Sequence, residues 1–332
     1  MTRALLSGGR RSVWPVRLVL AALLAFGSEV LLWTNPPGRS LLELPLLVAG
    51  YLAVGTLLLD LIARYRVRGL FGALLLAGVY GLCAGLVINP ETMLNDLPRA
   101  LVTRVMGAHA LLGLEMIGLL LALTGEGMRP RRLLLAGGLV VGAAWGIWVR
   151  WFPVDAGYAE VSLPGALAAA GAGVGLIAAL LVYAAPRAAG LIPDDLRLSR
   201  RGWGVLALAL LALFGLRLFQ GVIPPPALLA VLPLLVLCLA ILWFRGRTRG
   251  ETLLDGHLPP TPRWRDFFTA LAAFGAAAIL AYNLPAFEIE AFNPFTLIGV
   301  GFTAYGLAWL PTVSLVLGAQ AYLRQIQRAR QF

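Results

Sequence analysis

The chain has 332 residues, of which 60% are hydrophobic and only 13% are charged, and its mean hydropathy is +0.84. Soluble domains carry about 25% charged residues, so this composition excludes an ordinary soluble protein and indicates a polytopic membrane protein. The net charge of +11 at pH 7 comes from 27 arginines without a single lysine.

Apolar runs of about 20 residues, the length needed to cross roughly 30 Å of hydrocarbon, occur ten times along the chain. Polar and proline-containing breaks separate them, as in the Pro-Pro-Pro sequence at 224–226. We therefore predict an all-α bundle of about ten transmembrane helices that uses residues 1–332 as one membrane domain. The predicted spans are 15–34, 41–63, 69–88, 100–124, 133–152, 161–185, 203–221, 226–244, 266–283 and 296–321.

The arginines are distributed unequally between the two sides of this predicted bundle. Twenty-two lie in chain ends or loops on one side, whereas Arg39, Arg99 and Arg150 lie on the other. The positive-inside rule places the arginine-rich side in the cytoplasm, which predicts a cell-membrane protein with both termini cytoplasmic. Arginines beside span ends are expected to contact membrane lipids through their anionic headgroups. Because no basic domain lies outside the spans, we expect no nucleic-acid partner.

The span count also predicts an internal division of the chain. Ten spans with both ends on one side allow two five-span halves, 1–152 and 161–332. An odd number of spans per half forces the halves to be inverted, which is the plan of many secondary transporters.

One span carries a spacing of glycines that indicates close helix packing. Gly138, Gly142 and Gly146 recur every four residues in the fifth predicted span. Small residues at this spacing allow the backbones of two membrane helices to approach closely. We therefore expect this face to be a helix contact surface.

Ionisable side chains inside the spans need an explanation, because each costs about 2.5 to 3.5 kcal/mol near the membrane centre. Glu29, Arg104 and Arg217 each lie about one helical turn from the arginine-poor end of a span, and Glu43 begins the second span at that end. We predict that they converge on a polar pocket open to the outer face. Three neutral polar residues at similar depth are expected to join them: Asn89, Gln220 and Asn283.

Arginines of such a pocket would bind a carboxylate or phosphate group. The predicted substrate-binding residues are therefore Glu29, Glu43, Arg104, His109 and Arg217. The alternative is structural: Glu29 and one arginine form a buried ion pair that fixes helix register, and the other charges extend to the headgroups. For His109 the alternative is a hydrogen bond within a helix contact.

Two further acidic residues lie elsewhere in the spans. Glu115 is deeper and has no charged neighbour at its depth, which predicts either a protonated side chain in the core or a member of a proton path. Asp60 lies at the inner end of the second span and is expected to pair with Arg64 at the surface.

The motifs of common enzymes, nucleotide-binding proteins and metal sites do not occur, so we expect no cofactor and no metal. Three function classes remain. The favoured one is a secondary-transporter-like permease for a small anionic or amphipathic solute, since the span count, short loops and Glu115 fit it. The others are a membrane-embedded enzyme acting on a lipid-linked substrate at the outer face and a non-catalytic membrane subunit. A permease needs a site reachable from both faces, an enzyme needs one fixed opening, and a subunit needs neither.

Overall fold

The computed structural model describes residues 12–32, 43–124, 130–151, 162–246, 250–285 and 294–329. These residues form helices and turns, with no strand among them. In the same ranges, ten helices are long and apolar enough to cross a membrane, and their ends differ from the predicted ends by at most three residues. The predicted all-α class and the ten candidate spans are thus confirmed.

Three of the helices contain a wider π-helical turn, and two additional helices, one of them the 3₁₀ helix Pro193–Leu196, are only four residues long. Their bounds are α1 Trp14–Ala25 with the π turn Phe26–Leu31, α2 Leu44–Tyr65, α3 Gly69–Val87, α4 Pro90–Met93, α5 Ala110–Thr124 preceded by the π turn Leu101–His109, α6 Pro130–Trp151, α7 Leu163–Arg187, α8 Arg200–Phe219, α9 Pro225–Arg245, α10 Trp264–Tyr282, α11 Pro294–Pro311 with the π turn Thr312–Leu317, and α12 Gly318–Ala329.

Hydrogen bonds between distant residues define the two ends of the bundle. At the arginine-rich end, the amide of Ser12 before α1 donates to the carbonyl of Arg187 at the end of α7, at 3.2 Å. At the arginine-poor end, the indole of Trp148 near the end of α6 donates to the carbonyl of Leu32 after α1, at 3.0 Å. α7 therefore runs opposite to α1, and α6 runs in the same direction as α1.

The first spans form the centre of the bundle, and the later ones surround them. The side chains of α3 are mostly buried, and α3 packs against α2, α5, α8 and α9. In contrast, α8 and α9 expose large apolar side chains, among them Val205 at 70% and Leu229 at 82%. Apolar surface of this extent is rare on soluble proteins and suits contact with lipid.

The predicted glycine contact surface on α6 is confirmed, and its partner is α10. A Cβ atom added at any of the three glycines would meet backbone atoms of α10, so the two helices approach as closely as their backbones permit. The pairs are Gly138 with Ala270, Gly142 with Phe274, and Gly146 with Ala278.

The π turn of α5 lies between α3 and α11, and it packs against both helices through similar close contacts at glycines. Gly81 of α3 faces the carbonyl of Val105, and Gly107 of the turn faces the carbonyl of Phe302 on α11. A π turn has one extra residue and is frequent at functional sites. This packing fixes the position of Glu115, two turns further along α5.

The expectation that Asp60 pairs at the surface was wrong, although its partner is Arg64 as predicted. Asp60 is fully buried and receives two hydrogen bonds of 2.8 Å from the Arg64 guanidinium. The amide of Leu198 at 2.6 Å and the indole of Trp203 at 3.1 Å also donate to it. The connector before α8 covers the carboxylate, and no pattern in the sequence indicates that this connector folds back onto α2.

Candidate functional site

Three of the predicted site residues meet at one turn at the arginine-poor end, residues 88–92, between α3 and α5. Glu29 lies in the π turn of α1, and its Oε1 accepts hydrogen bonds from Asn89 Nδ2 at 2.7 Å and from the Tyr51 hydroxyl at 2.5 Å. Asn89 is fully buried, and Tyr51 is 1% exposed. Glu29 therefore connects α1, α2 and the 88–92 turn through partly buried hydrogen bonds.

Arg217 near the end of α8 reaches the same turn. It is 3% exposed, and its Nη1 lies 3.0 Å from Glu91 Oε1 and 3.1 Å from Gln220 Oε1. Its Nη2 donates to the carbonyl of Ile88 at 2.9 Å. A buried guanidinium needs such partners, because an unpaired buried charge is strongly destabilising.

Arg104 and His109 follow on the π turn of α5. Arg104 is exposed, and its Nη1 donates to the carbonyl of Thr92 at 2.6 Å. His109 is 2% exposed, and its Nδ1 lies 3.1 Å from the carbonyl of Arg104. Its Nε2 is buried and has no hydrogen-bond partner among the described residues.

The structure thus brings Glu29, Arg104 and Arg217 together, as their common depth predicted, around the protein's own 88–92 turn. Asn89 and Gln220, which were also predicted there, contact Glu29 and Arg217. The remaining two residues of the predicted pocket are placed differently. Glu43 stands directly before α2 and is half-buried, and the amide of Asn283 bonds to Ile279 of its own helix at 2.8 Å. That these side chains bind a solute remains a prediction.

Two members of this cluster, Glu91 and Tyr51, were missed by the sequence reasoning. Glu91 lies in the Asn-Pro-Glu-Thr sequence at 89–92, which the span count assigned to a loop. Because Glu91 is acidic and lies close to the predicted depth of Arg217, the sequence could have indicated that the two side chains pair. For Tyr51, nothing in a single sequence shows which helix face meets α1.

Glu115 lies apart from this cluster and lines two cavities. The first, which we call the α10 cavity, has a volume of about 380 Å³ and extends toward the arginine-rich end. Its lining comes from α1, α5, α6, α7 and α10. Representative members are Phe26, Glu115, Leu133, Gly138, Val174, Phe267 and Phe274.

The second cavity, which we call the α11 cavity, has a volume of about 330 Å³ and extends toward the arginine-poor end. It is lined by α1, α5, the second half of α6 and the start of α11. Representative members are Leu32, Leu112, Trp145, Trp148, Ile298 and Phe302. The two cavities share three lining residues, Leu31, Glu115 and Val141.

The polar character of these linings is very limited. Glu115 is the one ionisable side chain that the described linings of the two cavities contain. The indole N–H groups of Trp145 and Trp148 donate to the carbonyls of Val30 at 3.1 Å and Leu32 at 3.0 Å. The tryptophans therefore offer ring surface rather than free donors to the α11 cavity.

A connector closes over the end of α5 beside the α10 cavity. The amide of Arg263 donates to the carbonyl of Leu123 at 3.3 Å, and His257 Nδ1 lies 3.4 Å from the Thr124 hydroxyl. Burial lowers the pKa of His257, and the charge of Arg263 lowers it further, while a hydrogen bond to the Leu121 backbone opposes both. This lowering favours the neutral form of the His257 imidazole.

Comparison of the chain with protein-family models, with curated proteins and with solved structures finds no match. Within the described ranges, no group of three His, Cys, Asp or Glu side chains is arranged to hold a metal ion. The functional argument therefore rests on the two cavities and on the residues around the 88–92 turn.

Proposed function

We propose that the chain is a multi-pass permease of the cell membrane, with both termini in the cytoplasm, that moves a small amphipathic solute past Glu115. One observation carries this proposal: two cavities extend toward opposite ends of the bundle and share Glu115 in their linings. A permease requires a central site that communicates with each face in turn.

The linings favour an amphipathic solute over a simple anion. An anion would need the guanidinium groups of Arg104 and Arg217, whose described contacts are with the protein's own Thr92, Glu91 and Ile88. The cavities offer hydrocarbon, aromatic rings and one carboxyl. Such a lining suits an apolar body with a single polar group, since pockets of this kind bind by burial and orient the ligand with few polar contacts.

Helix packing supports a movement that would open one cavity at a time. α6 lines both cavities and contacts α10 backbone to backbone, so these two helices would move as a unit. α11 is instead packed on the π turn of α5. A shift of the α6–α10 pair against α1 and α5 would change access to Glu115 from the two ends.

An enzyme acting on a lipid-linked substrate is less well supported. General acid–base chemistry places a proton donor and an acceptor around the reacting bond. The described linings supply Glu115 without a second ionisable group.

Thiol accessibility tests the permease directly. Cys83 and Cys238 are both buried and would be replaced by alanine. Single cysteines would then be introduced as Ala144→Cys in the α11 cavity, Ala122→Cys in the α10 cavity and Glu115→Cys between them. A membrane-impermeant thiol reagent, which reacts only with cysteines that water can reach, would be applied to sealed vesicles from each side.

We expect Ala144→Cys to react from the outer side, Ala122→Cys from the cytoplasmic side, and Glu115→Cys from both. The control is Val205→Cys, which lies on an exposed apolar face and should stay unreactive in lipid from either side. Reaction of Glu115→Cys from one side alone would favour an enzyme with a fixed opening. No reaction at any of the three cavity positions would indicate a non-catalytic subunit.

A further inference from the structure

From the linings of the two cavities we infer that the solute is an organic cation, with Glu115 as its counter-ion. This inference rests on the proposed function and adds the charge of the substrate to it.

The charge balance of the cavities is the first reason. Leu31, Val141 and the other side chains around Glu115 are apolar, and neither described lining contains an Arg, Lys or His side chain. A carboxylate among hydrocarbon side chains is costly unless it takes up a proton or a counter-charge accompanies it. A bound cation removes this cost, whereas a bound anion would add a second negative charge.

The aromatic side chains are the second reason. Trp145 lies 5.3 Å from Phe274 between ring centroids, and Trp148 lies 5.8 Å from Phe302, so pairs of rings border the space on the α6 side. The faces of Trp and Phe rings carry partial negative charge and attract ammonium groups. The two indole N–H groups, the donors that an anion would use, are already bonded to backbone carbonyls.

The cavity volumes limit the size of the cation. Volumes of about 380 Å³ and 330 Å³ lie at the small end of the range of about 300 to 1,000 Å³ for ligand pockets. The substrate class is therefore a quaternary or protonated amine on a body about the size of one aromatic ring.

The test uses two probes of similar size and opposite charge, benzyltrimethylammonium and phenylmethanesulfonate. Their binding to the purified full chain in detergent would be measured by isothermal titration calorimetry. We expect saturable binding of benzyltrimethylammonium and none of phenylmethanesulfonate. Glu115→Gln keeps the size of the side chain and removes its charge, so it should weaken binding of the cation by about tenfold or more. Glu251→Gln, at an exposed position in the connector before α10, is the matched control and should bind as the unaltered chain does.

Equal binding of the two probes, no saturable binding of the cation, or full cation binding by Glu115→Gln would each overturn the inference. The probe comparison is made on the unaltered chain, so it gives a result even if a variant fails to fold. The result of this binding test can also be distinguished from the result of the labelling experiment that tests the proposed function. Two-sided labelling of Glu115→Cys without cation preference would leave a permease for another solute, whereas cation binding without two-sided labelling would leave a cation site in a protein that is not a permease.

Discussion

Replacing Arg217 by methionine is expected to destabilise the fold by about 3 kcal/mol, the lower end of the range measured when one partner of a buried ion pair is removed, because the Glu91 side chain is 29% exposed. The guanidinium is 3% exposed and joins Glu91, Gln220 and the carbonyl of Ile88. Methionine fills similar volume but leaves the Glu91 carboxylate and the Ile88 carbonyl without a donor. Thermal unfolding of the detergent-solubilised protein, followed by circular dichroism, measures the change.

Arg104→Met is the control for this variant. Arg104 lies on the same side of the bundle, but its side chain is exposed and donates a hydrogen bond to the Thr92 carbonyl. We expect a loss of about 1 kcal/mol or less, typical of an exposed polar contact. Combining Arg217→Met with Glu91→Gln should recover part of the lost stability, since the second change removes the unpaired carboxylate.

The same pair of variants separates two roles of Arg217. If Arg217→Met unfolds at the same temperature as Arg104→Met, the guanidinium does not hold the 88–92 turn, and its predicted role in binding a solute becomes the stronger one. A large loss of stability would instead indicate a structural role, in which the pairing of Arg217 with Glu91 holds the end of α8 against the 88–92 turn.

The helices were predictable because the membrane fixes their length. A span must contain about 20 apolar residues, and every backbone polar group within it must be satisfied inside the segment. Depth was also predictable, because each residue advances the helix by 1.5 Å. This is why Glu29, Arg104 and Arg217 were correctly expected at one level.

The neighbours of these residues could not be predicted in the same way. Span count gives direction and depth, but it does not give the order of helices around the bundle or their rotation. Arg217 of α8 therefore had no identifiable partner until α8 was placed beside α3, and Glu91 was assigned to a loop. The burial of Asp60 depends on a connector that follows Arg187 far along the chain, which periodicity within α2 does not reveal.

For Glu115, too, one property could be predicted from the sequence and another could not. Its lack of a charged neighbour at its own depth was evident from the sequence, and the described linings around it are apolar. The cavities themselves depend on where α10 and α11 lie beside α6, and lipid provides no hydrophobic driving force that would order the helices. Their arrangement depends instead on small-residue contacts such as those of Gly142.

Gly142→Ala is accordingly expected to destabilise the fold by about 1 to 3 kcal/mol, the usual cost of overpacking a closely packed contact. The added methyl group would meet the backbone of Phe274, which cannot rotate away as a side chain would. Gly275→Ala, in the middle of the partner helix, is the matched control, because an added Cβ there meets nothing within 4 Å. The control should be neutral or gain up to about 1 kcal/mol from the better helix propensity of alanine.

Thermal unfolding of the two alanine variants compares them directly, and equal stabilities would show that α6 and α10 do not meet at Gly142. The contact also bears on the proposed movement, since only a tight pair can shift as a unit. If Gly142→Ala separates α6 from α10 while the bundle stays folded, two-sided labelling of Glu115→Cys should fall toward one side. Labelling that stays equal from both sides in a destabilised Gly142→Ala variant would mean that access to Glu115 does not depend on the α6–α10 pair.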